Sequence, residues 1–497
     1  MLRGTTGQMQ NHRVTALAVE GIGRLLWKLS VPAGVGMLVM ALYNVVDTIF
    51  IGRVVGSLGI AGLSVVFPVQ MIVMGVGQMI GLGGASLVSR SLGSGDMGRA
   101  ERTLGNAVLL ICVLGGAIIL VGLLGSTFWV RLFGASDSVL PYAQSYFDII
   151  LLGVLFQVFA MSANGLVRAE GNARVPMISM VVGATLNIAL DAVFIVGLRL
   201  GVAGAATATV IAQAVSATYL AWYYLSRRSS VSIAVGNLAP DRSVLREILA
   251  IGISSFVRTT AASLVIVFVN RSLVAYGGDI ALAAYGVLHR MVMLVMMPVI
   301  SVAQGLQPIL GFSYGSRRYD RALRAVEIST VAATVVSAMA FLILYFFPAP
   351  IIRIFTTDSV LIAAGSHGSR LMFFVMYLVG FQVVGSTVFQ AIGKALPAFV
   401  TAVSRNILFF LPAIFVLPRF FGLDGVWASF PVADAFSFVL TFFLLVPQIR
   451  QFRRAARASV AGSQPAAGES PGGVFWLKHA SIVPTANRAT SAPDQPL

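Results

Sequence analysis

Apolar runs of about 20 residues or more recur along nearly the whole 497-residue chain. Each run is long enough to cross the hydrocarbon core of a bilayer as an α-helix. Only 10% of the residues are charged, and the mean hydropathy is +0.90, whereas about a quarter of a soluble globular chain is charged. The runs also lack the strict alternation of a membrane β-barrel. The sequence therefore predicts an all-α integral membrane protein.

The apolar runs divide into twelve predicted transmembrane helices. They cover roughly residues 25–50, 60–85, 104–126, 141–165, 175–197, 202–225, 246–274, 281–310, 325–347, 366–392, 397–418 and 425–448. The first 24 residues are polar and form a predicted cytoplasmic N-terminal segment. A cleavable signal peptide is not expected, because the apolar run that follows continues into a full span. Residues 449–497 are rich in Ala, Ser, Pro and Gly and predict a disordered cytoplasmic tail.

The basic residues indicate the orientation of the chain. If the N-terminus is cytoplasmic, the inside connections and termini carry 24 Lys and Arg residues and the outside connections carry six. This asymmetry is the positive-inside pattern, and it predicts that both termini are cytoplasmic. The net charge of +16 is thereby explained by topology, and nucleic acid is not an expected partner.

The chain contains an internal repeat. "GSLGIAGLSV" at 56–65 resembles "GDIALAAYGV" at 278–287, and "LGSGDMGRAER" at 92–102 resembles "YGSRRYDRALR" at 314–324. Both matches have an offset of 222 residues, which predicts two six-helix lobes, 25–225 and 246–448, joined by a cytoplasmic linker at 226–245. An even number of spans gives both lobes the same orientation, as in transporters whose two bundles rock about a central cleft.

Polar residues within the spans are concentrated in the first lobe. Asn187 and Asp191 lie one helical turn apart, and Asp47 and Thr209 fall at a similar predicted depth. The repeat register places apolar residues or proline at all four positions of the second lobe; Val269, for example, corresponds to Asp47. The four side chains could ligate Na⁺, or the two carboxylates could hold a proton. The alternative is that Asp191 is merely capped by Asn187 and a backbone donor.

Four segments together resemble the multidrug and toxic compound extrusion (MATE) family. They are "YNVVDTIFIGR", "GSGDMGRAERTLGNA", "RAEGNARVPM" and "LNIALDAVFI". The resemblance implies twelve helices in two lobes around a central cleft, and export of organic cations in exchange for H⁺ or Na⁺. Because the second lobe lacks the polar set, the chain resembles the DNA-damage-inducible, archaeal-like branch, whose coupling site lies in the first lobe.

The resemblance also implies roles for individual residues. The first-lobe coupling site carries over to Asp47, Asn187, Asp191 and Thr209. Two further side chains resemble polar cavity residues of the branch, and one proline resembles the point at which the first helix can bend. These are Tyr146, Asn164 and Pro32.

Asp434, in the last predicted span, is a secondary candidate acid. It could serve in coupling or act as a hydrogen-bond partner between helices. Arg258, Arg290 and Arg405 lie in or near second-lobe spans and could pair with it, or extend to the cytoplasmic edge of the membrane.

The predicted function is secondary active export of amphipathic, often cationic, small molecules by a monomer in the bacterial cytoplasmic membrane. No prosthetic cofactor is expected beyond the coupling ion. The alternatives are a lipid-linked oligosaccharide flippase or an exporter of a specific metabolite. A membrane enzyme is not favoured, because the sequence has no clustered nucleophile, His pair, metal motif or Walker A loop.

Overall fold

The computed structural model describes residues 15–232 and 235–461, in which the regular structure is helical and no strand occurs. Nine helices there are long and apolar enough to cross a membrane, and a pair bent by 47° forms a tenth span. Two of the nine are too long for one crossing, since 74 residues of helix would extend about 110 Å. They break where Gly278 and Gly422 adopt non-helical conformations. The predicted number of twelve spans is therefore confirmed.

We number the spans α1 to α12 in chain order. They are α1 (Ile22–Val54), α2 (Ser57–Ser94), α3 (Met97–Leu123), α4 (Leu140–Ala169), α5 (Arg174–Asp191, continued by a π-helical turn Ala192–Gly197), α6 (Gly201–Leu225), α7 and α8 (the two arms of Arg242–Gly315), α9 (Tyr319–Phe346), α10 (Ser359–Met372 with Val379–Ala391), α11 (Ala395–Val403, the π-helical turn Ser404–Phe410 and the first arm of Leu411–Ala461) and α12 (the second arm). Short helices at Ser126–Leu132 and Pro348–Ile352 precede α4 and α10.

The internal repeat is reproduced by the backbone at the turns between helices. Positive φ angles recur at matching places in the two halves: Gly56 and Gly278, Gly95 and Arg317, Gly171 and Gly393, Gly201 and Gly422. Glycine suits this conformation because it lacks a Cβ. The shared glycines therefore fix the same helix–turn–helix pattern twice, and the fold is two six-helix lobes, α1–α6 and α7–α12.

The two lobes pack tightly at the end of the molecule that carries the basic loops, which we call the basic face. A Cβ on Gly93 of α2 would collide with the Phe312 carbonyl of α8, and a Cβ on Gly315 of α8 would collide with the Arg90 carbonyl of α2. The 222-residue offset of the repeat converts each of these contacts into the other. Helices α2 and α8 therefore meet at the pseudo-two-fold axis that relates the two lobes. Glycine at both positions permits this close backbone approach.

Polar contacts add to the closure at the basic face. Glu247 of the second lobe accepts hydrogen bonds from Arg90 at 2.8 Å and from Arg99 at 2.6 Å, both of the first lobe. The Ser86 hydroxyl donates to the Gln390 carbonyl at 2.5 Å. The lobes are thus held together at this end of the molecule. We call the half of the molecule farther from it the distal half.

The last helix extends beyond the predicted start of the tail at 449 and runs to Ala461. Phe452 is buried and packs against Tyr314 and Tyr319, which keeps this part of the chain helical against the second lobe. Residues 462–497 of the predicted tail, and residues 1–14 of the predicted N-terminal segment, lie outside the described residues.

Candidate functional site

The candidate site lies in the distal half of the first lobe, and α1 brings Asp47 to it. Asp47 is buried in the last third of α1. This helix packs against α5, where Gly36 leaves room for the Met180 side chain. Burial of a carboxylate between apolar helices is costly unless a partner compensates its charge.

Helices α5 and α6 contribute the amide, the second acid and the hydroxyl. Ser179 and Ser216 each donate a hydrogen bond to the other's carbonyl, at 3.3 and 3.1 Å, which fixes the two antiparallel helices in register. About two turns farther on, Asn187 Nδ2 donates to Thr209 Oγ1 at 3.3 Å. Asp191 is fully buried one turn beyond Asn187, and the π-helical turn begins directly after it. Such π-helical turns are frequent at functional sites.

The site contains buried acceptor oxygens that lack donors. Within the described part of the chain, Asp47 Oδ1, both carboxylate oxygens of Asp191, and Asn187 Oδ1 have no hydrogen-bond partner. The charges of Asp47 and Asp191 are close enough to act on one another. Buried polar atoms are normally paired, and a cluster of four unpaired acceptors has the chemistry to hold a cation or a proton. The capping alternative for Asp191 has no support in this geometry, because neither of its carboxylate oxygens has a donor among the described residues.

Two tyrosines border the acids. Tyr43 lies one turn before Asp47 on α1, and both carboxylates act electrostatically on Tyr43 and Tyr146. Gln70 of α2 donates from Nε2 to the Tyr146 hydroxyl at 3.0 Å. Sequence reasoning named Tyr146 and missed Tyr43 and Gln70. The one-turn spacing before Asp47 could have identified Tyr43, whereas Gln70 lies on another helix and gave no local signal.

The remaining first-lobe candidates lie away from the acids. Asn164 is half-buried on the same helix as Tyr146, about 27 Å nearer the basic face. Pro32 lies in the first third of α1, 15 residues before Asp47 and within a continuous helix. A proline there removes a backbone hydrogen bond and weakens the helix at that point. The structure thus brings together Asp47, Asn187, Asp191, Thr209 and Tyr146 and does not bring Asn164 or Pro32 to them.

Asp434 has a different environment in the second lobe. It is buried on α12, and Arg405 contacts both of its carboxylate oxygens, with Nε at 2.5 Å from Oδ1 and Nη2 at 3.5 Å from Oδ2. Gln382 donates to its backbone carbonyl at 2.5 Å. Of the three arginines considered from sequence, Arg405 is therefore its partner. Asp434 therefore already has a cation, whereas Asp47 and Asp191 have none among the described residues.

The sequence matches the model of the MatE family over residues 32–193 and 252–415, one segment in each lobe. The chain belongs to the MATE family. Both matched segments begin in the first span of a lobe and end in its fifth, as the internal repeat requires.

MATE relatives match nearly the full length of the chain. It is 25% identical over 437 residues to the multidrug export protein MepA of Staphylococcus haemolyticus, covering 88% of this chain and 96% of that protein. The structure of the MATE multidrug transporter DinF-BH, solved in a ligand complex, is 41% identical, with a TM-score of 0.81, and covers 86% of this chain and 96% of that one. A MATE structure in the bent conformation is 25% identical, with a TM-score of 0.84 and 90% and 99% coverage.

These matches settle the class of protein. MATE proteins are transporters, so the chain is a membrane transporter and not an enzyme. The identity to DinF-BH confirms the predicted DNA-damage-inducible-like branch. The predicted alternative of a lipid-linked oligosaccharide flippase is not favoured by these relatives.

Proposed function

We propose that this MATE protein is a secondary antiporter that exports amphipathic, often cationic, compounds in exchange for H⁺ or Na⁺. The observation that supports this most directly is the group of four unpaired acceptor oxygens on Asp47, Asn187 and Asp191. A coupling ion supplies the positive charge that these oxygens lack.

The same oxygens suit either ion. A proton on one carboxyl turns an acceptor into a donor, which can then serve a neighbouring acceptor. Sodium is a hard cation and takes carboxylate, amide and hydroxyl oxygens together. The Na⁺ site would comprise the carboxylates of Asp47 and Asp191, the amide oxygen of Asn187 and the hydroxyl of Thr209. In both cases neutralising the acids removes their attraction for a cationic substrate, so that ion and drug exclude one another.

The closed basic face defines the state of the transporter. The excess of Lys and Arg supports a cytoplasmic location for this face and for both termini, with the distal half toward the outside of the bacterial inner membrane. Contacts such as Glu247 with Arg90 and Arg99 close the cytoplasmic side. A closed cytoplasmic side is typical of the outward-facing state, in which external ions would reach Asp47 and Asp191.

Helix α1 connects the ion site to the interface between the lobes. It carries Asp47 near one end, and near the other end Ser30 lies against Gly305 and Gly34 lies against Ser301, both of α8. Pro32 lies between these two contacts. A bend at Pro32 would move Asp47 relative to α5 and α6 and change its ion affinity. An ion shifts a conformational equilibrium only through such a difference in affinity.

The proposal is tested with purified protein in proteoliposomes loaded with a fluorescent cationic dye. A pH gradient and a Na⁺ gradient are imposed separately, and dye transport is measured for each. We expect one gradient to drive transport and Asp191→Asn to abolish it. Equal transport with and without both gradients would exclude secondary antiport. We expect the protein to act as a monomer. The molecular mass of the protein in the reconstituted particle tests this expectation.

A further inference from the structure

A second polar site lies at the basic face, where α1 of the first lobe and α9 of the second lobe both begin. A cavity of about 370 Å³ separates the two helix starts. Its lining includes Gly23, Arg24, Arg318, Asp320, Arg321 and Arg324. Four arginines and one aspartate give this lining a net charge of +3, far from the acids of the transport site.

Two of the arginines form the wall of the cavity. Arg318 donates to the Ala18 carbonyl at 2.7 Å, and Arg321 donates to the Leu17 and Glu20 carbonyls at 2.9 and 2.5 Å. These are neutral acceptors, and Arg318 and Arg321 lie close enough to repel one another, with Asp320 as the single acid in the lining that offsets their charge.

The other two arginines have free donor groups. Arg24 meets the Glu20 carboxylate through one nitrogen, at 3.3 Å, and Glu20 also pairs with Lys28. Arg324 is exposed and has no hydrogen-bond or ion-pair partner among residues 15–232 and 235–461. A planar guanidinium with free N–H groups binds phosphate oxygens in a bidentate manner.

The internal repeat shows what the cavity lacks. At the corresponding start of α3, Asp96 accepts a hydrogen bond from the Arg99 backbone N–H at 2.9 Å, and the Arg99 guanidinium binds Glu247. Under the 222-residue offset Asp96 becomes Arg318, and no side chain in the described residues caps the start of α9. Two carboxylates, Asp96 of the first lobe and Glu247 of the second, therefore lie at the start of α3, whereas the start of α9 has a cluster of arginines.

We propose that this cavity binds a phosphate group, that of an anionic phospholipid in the cytoplasmic leaflet. The phosphate would lie between Arg24 and Arg324, with the backbone N–H groups at the start of α1 beside it. Trp27, one turn into α1, is 72% exposed, and exposed tryptophans mark the headgroup level of membranes. Because the cavity opens at that level, a lipid headgroup reaches it without leaving the bilayer.

The bound phosphate would join the first lobe to the second at the closed basic face. This role is separate from ion coupling, since none of its residues belongs to the candidate transport site. Loss of lipid binding and loss of ion-driven export are therefore distinguishable.

The test uses the full-length protein in neutral detergent, titrated with short-chain phosphatidylglycerol, with phosphatidylcholine and with inorganic phosphate. Bound lipid is counted by native mass spectrometry. We expect phosphatidylglycerol to bind more tightly than phosphatidylcholine. Arg24→Gln and Arg324→Gln should each weaken the binding of phosphatidylglycerol about fivefold.

The matched control is Arg102→Gln, which changes the first-lobe counterpart of Arg324 and leaves the cavity intact. A second variant, Gly23→Asp, retains every arginine and places a carboxylate in the cavity; among the described residues nothing lies within 4 Å of a Cβ at Gly23, so we expect it to fold and lose phosphatidylglycerol.

The remaining outcomes also decide the proposal. Binding of inorganic phosphate with no preference for phosphatidylglycerol would support a phosphate site and overturn the lipid as its source. If Arg24→Gln, Arg324→Gln and Gly23→Asp all retain phosphatidylglycerol as the wild type does, the site does not exist.

Discussion

Replacing Asp191 with asparagine separates ion coupling from folding. Both of its carboxylate oxygens are buried without a donor from the described residues, so the coupling ion would be the principal partner of its charge. At about 4 Å and an effective dielectric constant of about 20, a charge–charge interaction amounts to about 4 kcal/mol. Losing it corresponds to a decrease in ion affinity of about a thousandfold. We expect Asp191→Asn to abolish gradient-driven export.

The same substitution should leave folding intact. An unpaired buried carboxylate destabilises the folded protein, and asparagine replaces it with a neutral amide of similar shape. The amide can also donate a hydrogen bond to a nearby acceptor such as Asp47. We therefore expect the midpoint of thermal unfolding of Asp191→Asn to equal or exceed that of the wild type.

Asp434→Asn is the matched control, because this acid is buried in the second lobe and paired with Arg405. Removing one partner of a fully buried ion pair costs about 3–5 kcal/mol. The Arg405 side chain is 39% exposed, so solvent screening reduces the expected cost to about 1–2 kcal/mol. Asp434→Asn should therefore lower the unfolding midpoint and retain substantial export.

The two variants are compared in proteoliposomes at equal protein density, with dye efflux under each ion gradient and thermal unfolding measured on the same preparations. Wild-type efflux by a well-folded Asp191→Asn protein would refute the first-lobe coupling site. If instead Asp434→Asn is inactive and Asp47→Asn is normal, the coupling acid lies in α12.

Three further substitutions test other parts of the arrangement. Asp47→Asn should abolish gradient-driven export as Asp191→Asn does, and residual ion-dependent dye release would count against a shared site. Thr209→Val removes the hydroxyl that accepts from Asn187; the loss of about 1 kcal/mol should raise the ion concentration for half-maximal export about fivefold. Glu247→Gln should weaken closure of the basic face, and spin labels on the α2–α3 and α8–α9 loops should show a larger inter-lobe distance. An unchanged distance distribution would show that this ion pair does not hold the lobes.

Span number and internal symmetry were predictable from sequence because they depend on local properties. Twenty apolar residues identify a span wherever it packs, and a glycine needed for a turn in one lobe recurs in the other, as at Gly56 and Gly278. The first-lobe acids were also predictable, since an intramembrane carboxylate is rare and Asn187 lies one turn from Asp191.

The partners of these residues depended on packing between helices. Asp434 had three candidate arginines in sequence, and Arg405 reaches it from a π-helical turn at Ser404–Phe410, which changes the direction of side chains relative to a regular α-helix. Gln70 approaches Tyr146 from a separate span. No periodicity within one helix indicates such pairs. The helical end at Ala461 was likewise missed because composition alone does not show that Phe452 is buried.

The repeat divides the residues of this protein into two classes with different roles. The close backbone contacts between the lobes occur twice, as at Gly93 and Gly315, and a duplicated contact by itself favours neither lobe as the site of coupling. The unpaired acids occur once, since Val269 replaces Asp47 in the second lobe. Ion binding can therefore act on the shared interface only through a helix that reaches both. Helix α1 does so, with Asp47 at one end and the α8 contacts near Pro32 at the other, which makes it the element we expect to transmit coupling.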